Sequence, residues 1–103
     1  MSPVLSSQTN TGEIGGVIRD ESGGVLPGAN VVLTHVDTAF TTEQITDGEG
    51  RFFVAGLPVG SWDVAATLPG FSRVLQTGIE LQIGQTLTLT VLLEIGQLTE
   101  QVV

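Results

Sequence analysis

Apolar and polar residues alternate along most of this chain, which is the pattern of β-strands that bury one face. The clearest example is the segment 87–94, in which every second side chain from its start is apolar: Leu87, Leu89, Val91 and Leu93. No stretch carries apolar residues at the i, i+3, i+4, i+7 spacing of a buried helical face. We therefore predict an all-β fold with no helix longer than one or two turns.

Further segments with β-strand character follow one another along the chain. The predicted strands are residues 13–20, 29–36, 40–46, 51–55, 61–68, 72–77, 79–83 and 87–93. Alternation assigns Phe52 and Val54 to the core and leaves Phe53 outside, and it places Trp62 inside with Val64. Residues 40–46 are rich in threonine and are predicted to lie at a sheet edge.

The pairing of the last two predicted strands is constrained by their alternation. A two-residue loop between them would set Ile83 opposite Thr86 and would mix the two faces of the sheet. An odd loop, residues 84–86, would set Ile83 against Leu87 instead. We therefore expect either the odd loop or no direct pairing of these strands.

Proline and glycine mark the corners between strands. Leu26-Pro27-Gly28 and Leu57-Pro58-Val59-Gly60 each combine a fixed φ at proline with the freedom of glycine. The glycines of these two corners, Gly28 and Gly60, are candidates for positive φ. Gly50, which completes the turn at residues 47–50, is a third candidate. The residues predicted to have structural roles are Leu26, Pro27, Gly28, Gly50, Phe52, Leu57, Pro58, Gly60 and Trp62.

Taken in order, these motifs resemble the carboxypeptidase regulatory-like domain. The resemblance begins with GVIRDESGGVLPGANVVL at residues 16–33 and continues with Thr46-Asp47 and the turn that follows them. The Leu-Pro corner before Trp62 and the segment Leu93-Glu94-Ile95-Gly96 complete it. The resemblance implies an antiparallel Greek-key β-sandwich of seven strands or so, transthyretin-like (prealbumin-like), with Val31 and Leu33 facing inward.

The domain organisation predicted from the sequence is simple. Residues 1–12 are expected to form a flexible leader, residues 13–96 the β-sandwich, and residues 97–103 an extension of the last strand or a linker to a following domain. Residues 1–11 lack the basic and apolar regions of a signal peptide, and no apolar run approaches the ~18 residues of a membrane span. In the family, such a segment often follows a cleaved signal peptide.

Charge and composition exclude several classes of partner. The net charge is −8, from eleven acidic residues against three arginines. This sign opposes binding to a nucleic acid backbone or to an anionic membrane surface. The chain contains no cysteine, so no disulfide supports the fold. We predict no nucleic acid partner and no direct membrane insertion.

The residues with potential chemistry are few. His35 is the only histidine, and no Gly-x-Ser-x-Gly motif accompanies it, so we predict no catalytic residue and interpret His35 as a satisfied or exposed strand residue. One histidine without cysteine cannot build a zinc site. Asp47 and Glu49 are interpreted as turn residues, with a calcium site as the weak alternative. No cofactor is predicted.

Aromatic rings provide the remaining candidate ligand surface. Because Trp62 is predicted to be buried, the rings that could contact a ligand or partner are Phe40, Phe53 and Phe71. Sugar sites on β-sandwiches usually present aromatic platforms. A carbohydrate-binding module with a starch-binding-like sandwich is therefore the alternative function.

The resemblance also implies a cellular setting. Three features together look most like the domain that precedes the plug of bacterial TonB-dependent outer-membrane transporters. They are a Ser/Thr-rich start, the segment Leu81-x-x-Gly84-Gln85-Thr86, and a closing Glu94-Ile95-Gly96-x-Leu98-Thr99-Glu100-x-Val102. That setting implies a non-catalytic accessory module, acting as a spacer or docking domain in the periplasm, at the outer membrane or outside the cell. Its partners would be other proteins or adjoining domains of the same chain, with polysaccharide as the alternative.

Overall fold

The computed structural model describes residues 10–96 and 100–103, which form strands and turns without a helix. None of this described part could therefore cross a membrane as a helix. The strands are β1 (Thr11–Asp20), β2 (Asn30–His35), β3 (Thr41–Ile45), β4 (Arg51–Pro58), β5 (Gly60–Thr67), β6 (Arg73–Leu81), β7 (Thr86–Leu93) and β8 (Glu100–Val102). The predicted all-β sandwich is confirmed.

The strands form two sheets of unequal size. The small sheet has the order β4-β1-β7, and the large sheet has the order β3-β2-β5-β6-β8. Most neighbours are antiparallel, but β1 pairs with β7 in parallel and β6 pairs with β8 in parallel. Eight strands agree with the expected seven or so, but the antiparallel expectation is corrected at these two pairs, because the chain changes sheets before β7 and returns to the large sheet after it.

The change of sheet explains the segment between β6 and β7. The two strands lie in different sheets, which agrees with the expectation of an odd loop or no direct pairing. Strand β6 ends at Leu81, and the backbone N–H of Gln85 donates to the carbonyl of Gln82 at 3.0 Å to close the connecting turn. Ile83 was grouped with the apolar face of its strand, but it lies in this turn and is 66% exposed.

Strand β6 joins two segments that the sequence predicts as separate strands. Gly78, at φ +74°, lies within the strand, and the register against β5 shifts between Trp62 and Val64. This irregularity is a β-bulge, in which one extra residue bends the strand without ending it. Residues 73–77 and 79–81 of the two predicted strands therefore belong to one element.

The core between the sheets is formed by the predicted inward-facing side chains. Trp62, Val31 and Leu33 are fully buried, and Phe52 is nearly so, as predicted. Val54 is only half-buried because β4 lies at the edge of the small sheet in residues 10–96 and 100–103. The other core side chains are Ile14, Ile18, Leu26, Ala29, Leu57, Val64, Ala66, Val74, Ile79, Leu81, Val91 and Leu93.

Two adjacent glycines in β1 make space for two phenylalanines in β4. Gly15 pairs with Phe53 and Gly16 with Phe52. A Cβ atom on Gly15 would lie 3.0 Å from the Phe53 ring on the outer side, and one on Gly16 would lie 3.0 Å from the Phe52 ring on the inner side. The rings therefore occupy volume that a side chain in β1 would otherwise fill.

The boundaries of the domain differ from those predicted. Residues 1–9 of the predicted leader and residues 97–99 of the predicted extension lie outside the described residues. Thr11 and Gly12 are not part of a leader, because they form the start of β1 and pair with β4. Glu100–Val102 does not extend β7, because these residues pair with β6 in the large sheet.

Candidate interaction surface

The first Leu-Pro corner is fixed by a buried hydroxyl group. The side chain of Thr46 donates a hydrogen bond to the carbonyl of Leu26 at 2.7 Å and accepts one from the N–H of Ala29 at 2.8 Å. Gly28 and Gly50 both have positive φ, at +77° and +74°, as expected for these turns. A single small side chain thus satisfies a donor and an acceptor that would otherwise be buried without partners.

The second Leu-Pro corner is fixed by two rings. Trp62 Nε1 donates to the carbonyl of Pro58 at 2.9 Å, and His35 Nε2 lies 2.9 Å from the carbonyl of Val59. Because that carbonyl can only accept, His35 carries its proton on Nε2, and Nδ1 accepts from the hydroxyl of Thr38 at 2.8 Å. His35 is therefore buried and satisfied, which decides between the two alternatives of a satisfied and an exposed strand residue.

The acidic turn before β4 uses its carboxylates within the protein. Asp47 Oδ1 accepts from the backbone N–H of Glu49 at 2.9 Å and from that of Arg51 at 3.0 Å. The bond from Arg51 and then that from Glu49 hold the pKa of Asp47 below its usual value. Glu49 pairs with Arg51 at 3.1 Å. In the described part of the chain, no three His, Cys, Asp or Glu side chains converge as a metal site would require.

The three candidate phenylalanines lie on different elements. Phe40, 49% exposed, precedes β3 and meets Trp62 edge to face with the ring centroids 6.3 Å apart. Phe71 precedes β6, forms a bridge with Ile95 and packs against the core. Only Phe53, 55% exposed, lies on an open sheet face. The structure thus provides one exposed ring on a sheet and no shared aromatic platform.

The outer face of the small sheet forms a shallow groove of about 930 Å³. Across its three strands, Phe53, Gly15 and Thr88 lie side by side, and Arg51, Val17 and Thr90 form the next row. Because Gly15 has no side chain, the Phe53 ring lies against that position. This face combines one aromatic ring, hydroxyl groups and two arginines, Arg19 and Arg51, so it can contact a polar or a moderately apolar partner.

Strand β7 borders this groove and was not predicted as part of a functional surface. Its outer face carries Thr86, Thr88 and Thr90, followed by Leu92, which is 53% exposed. The signal available in the sequence was the absence of any charged residue over residues 86–93. That signal becomes informative only when the strand is known to lie at a sheet edge.

The sequence matches one family model. The model for the carboxypeptidase regulatory-like domain matches residues 13–94, which is most of the chain. The chain therefore belongs to the carboxypeptidase regulatory-like domain family, a class of non-catalytic domains with a transthyretin-like fold. Comparison with curated proteins gives no match.

Several solved structures share this fold. The Bacillus anthracis TIE protein superposes with a TM-score of 0.71 at 23% identity, over 84% of this chain and 17% of its own. A mutant catechol 1,2-dioxygenase from Acinetobacter radioresistens gives 0.68 at 14% identity, over 89% and 54%. A streptococcal ancillary pilin gives 0.65 at 19% identity, over 82% and 32%.

These similarities concern the fold alone, since every identity is low. The chain spans between 17% and 54% of the length of these three proteins. The matching sandwich is thus one part of a longer chain in each of them. The likeness to a dioxygenase does not show enzyme activity in this chain.

Proposed function

We propose that this domain is a non-catalytic docking or spacer module of a secreted or outer-membrane protein, specifically the N-terminal extension of a TonB-dependent transporter. The observation that carries the docking role is the distribution of side chains. The polar side chains at the two corners form hydrogen bonds within the domain and are not available to a partner. They are Thr46, His35 and the Trp62 indole. The strand that stays open and carries no charged side chain is β7, at the free edge of the small sheet.

Two further observations support the setting. The closing pattern that begins with Glu94-Ile95-Gly96 resembles that of the domain preceding the plug of TonB-dependent transporters. The structurally similar sandwiches are parts of longer chains, and one of them belongs to a pilin. A rigid sandwich with an acidic surface suits a periplasmic module that stays soluble beside a membrane.

The setting is tested by the complete reading frame and by cell fractionation. We expect a plug and a β-barrel to follow this domain, and we expect an antibody against the domain to detect it in the outer-membrane fraction. The domain should be protected from added protease in intact cells and cleaved after the outer membrane is permeabilised. A reading frame without a barrel, or detection in the cytoplasmic fraction, would contradict the proposal.

Carbohydrate binding is the second candidate, favoured by the Phe53 ring beside the hydroxyl of Thr88. The affinity of this face for a sugar would depend on stacking of the sugar against the Phe53 ring. A glycan array with the wild-type domain and Phe53→Ala decides the question. If the wild-type domain binds a glycan and Phe53→Ala does not, carbohydrate recognition is the better function. If the wild-type domain binds no glycan, the docking module stays the better function.

A further inference from the structure

The described residues include four edge strands, and they differ in how each is protected from pairing with another chain. The edges are β4 and β7 in the small sheet and β3 and β8 in the large sheet. An edge strand presents unpaired N–H and C=O groups, and most proteins blunt it with charges, bulges, proline or short length. The type of protection on each edge therefore indicates which edge is available.

Three of the four edges carry such protection. Strand β3 has Glu43 at its centre, and β8 is short and contains Glu100, which is paired with Arg73. Strand β4 has a register shift against β1 and a glycine at positive φ, Gly56. In addition, Asp47 occupies both main-chain groups of Arg51.

Strand β7 has none of these features. Its eight residues, TLTLTVLL, include no charge and no proline, and its register with β1 is unbroken. The backbone N–H of Glu13 donates to the carbonyl of Gln85 at 2.8 Å, which fixes the phase of the parallel ladder. Alternate residues from 87 onward bond to β1, so the N–H and C=O groups of residues 86, 88, 90 and 92 point away from it.

The side chains on this edge are incompletely covered. Leu87 and Leu89 point toward the core but are only half-buried, because β7 is an edge strand among the residues that the structure describes. Leu92 is exposed on the outer face. One more strand in the small sheet would cover Leu87 and Leu89 and would satisfy the free backbone groups.

We infer that β7 accepts one extended, uncharged segment of another protein as a fourth strand of the small sheet. The segment carries apolar side chains toward Leu87 and Leu89 and small or hydroxyl side chains beside Thr88 and Thr90. The charge pattern supports this chemistry. Strand β7 has no charged side chain, so a charged residue added beside Thr88 or Thr90 would lose hydration without a partner on β7. An acidic strand would also meet the Glu13 carboxylate, which accepts from the Thr86 hydroxyl at 2.8 Å, and a domain of net charge −8.

The geometry favours a single segment over a second copy of this chain. Strand β7 packs against β6, and β8 lies beyond β6, so the large sheet projects past the edge of the small one. One added strand fits above that projection. A second sandwich joined edge to edge would bring its own β6 into the space that β8 occupies.

This inference rests on the proposed docking role and names the chemistry of the partner. The proposed function and this inference can be contradicted by different experiments. The reading frame and fractionation test the cellular setting, whereas an edge that binds no segment would be detected with the isolated domain in solution.

The test uses amide hydrogen exchange measured by NMR on the labelled domain. The probe is an end-blocked peptide of about six residues, the usual length of a strand, alternating threonine and valine. We expect the peptide to slow exchange at the amides of Thr88 and Thr90. A matched peptide with lysine or glutamate in place of valine should give no protection.

A proline substitution localises the contact. Thr88→Pro removes one free donor at a position where an edge strand tolerates proline, and it should weaken peptide binding about tenfold. Thr41→Pro on β3 is the matched control and should leave binding unchanged. If Thr88→Pro does not fold, as judged by its tryptophan fluorescence, the amides that the peptide protects in the wild-type domain identify the strand that binds it.

Three results would overturn the inference. The first is no protection by the uncharged peptide at any concentration up to its solubility. The second is protection at Thr41 and Glu43, which would move the site to β3. The third is a concentration-dependent dimer in sedimentation that Thr88→Pro abolishes, which would make a second copy the occupant.

Discussion

The two Leu-Pro corners look alike in sequence but are held in different ways. At the first, Thr46 is a small side chain that contacts two backbone groups of one turn. At the second, Trp62 and His35 reach two successive carbonyls, and their rings meet at 5.1 Å between centroids. The second corner is thus part of the core, because the ring that fixes it is also among the largest fully buried side chains.

The difference predicts how damage at each corner should spread. Loss of Thr46 removes hydrogen bonds but little volume, so its effect should stay within the first turn. Loss of Trp62 removes a hydrogen bond and also leaves a cavity between the sheets. The four predictions below test this contrast, beginning with the largest expected effect.

Trp62→Ala should lower the free energy of unfolding by about 3 to 5 kcal/mol, because it opens a cavity in a close-packed core. In a domain this small, that loss could unfold the protein. Chemical denaturation followed by circular dichroism measures it. Phe53→Ala is the control and should change stability little, since that ring is exposed. Ready quenching of the wild-type tryptophan by acrylamide would contradict the buried position.

Thr46→Val should lower the free energy of unfolding by about 2 to 3 kcal/mol. The substitution keeps the shape but leaves the Ala29 N–H and the Leu26 carbonyl buried without partners. Urea denaturation provides the measurement. Thr46→Ser keeps the hydroxyl group and should recover most of the loss; equal losses in both variants would show that the methyl group matters more than the hydroxyl.

Gly60→Ala should cost about 2 kcal/mol and Gly28→Ala about 1 kcal/mol, because both need positive φ but only one is crowded. A Cβ atom at Gly60 would lie 2.9 Å from His35 Nε2, whereas nothing lies within 4 Å of one at Gly28. Thermal unfolding of the two variants gives the comparison. Equal costs would mean that the contact with His35 is relieved without loss.

Acid should weaken the turn beside Thr46 by a small amount. The pKa of Asp47 is lower in the folded chain than its ordinary value of 3.8, because backbone N–H groups bond its carboxylate. The stabilisation is therefore complete above that value and is lost as the pH falls through the folded pKa. Melting temperatures from neutral to strongly acidic pH should fall more steeply in the wild type than in Asp47→Asn. Parallel curves would contradict this.

The alternation of apolar residues predicted the strands and most of the core because it has a local cause. A period of two decides which side chains share a face, so Phe52, Phe53 and Trp62 were assigned correctly. Val54 was predicted in the core but is only half-buried, and Ile83 was predicted in a strand but lies exposed in a turn. Their exposure depends on where the sheet ends and where the chain leaves it, and these features are set by distant partners.

Pairing between distant strands accounts for most of what the sequence did not predict. Nothing in residues 87–93 indicates that β7 lies beside β1 in parallel, or that its far edge is free. The groups that fix the corners are equally distant, since Thr46 lies 17 residues from Ala29 and His35 lies 24 from Val59. The candidate site follows the same rule, because the three phenylalanines are brought to separate elements.

The position of β1 also determines when this domain can fold during synthesis. The middle strand of the small sheet is the first to leave the ribosome, yet one of its two partners is β7, and Glu13 bonds to Thr86 across 73 residues. Such non-local pairing slows folding to milliseconds or longer. Until residue 93 has emerged, β1 can hold β4 on one side only, so the nascent chain carries an unpaired edge through most of its translation.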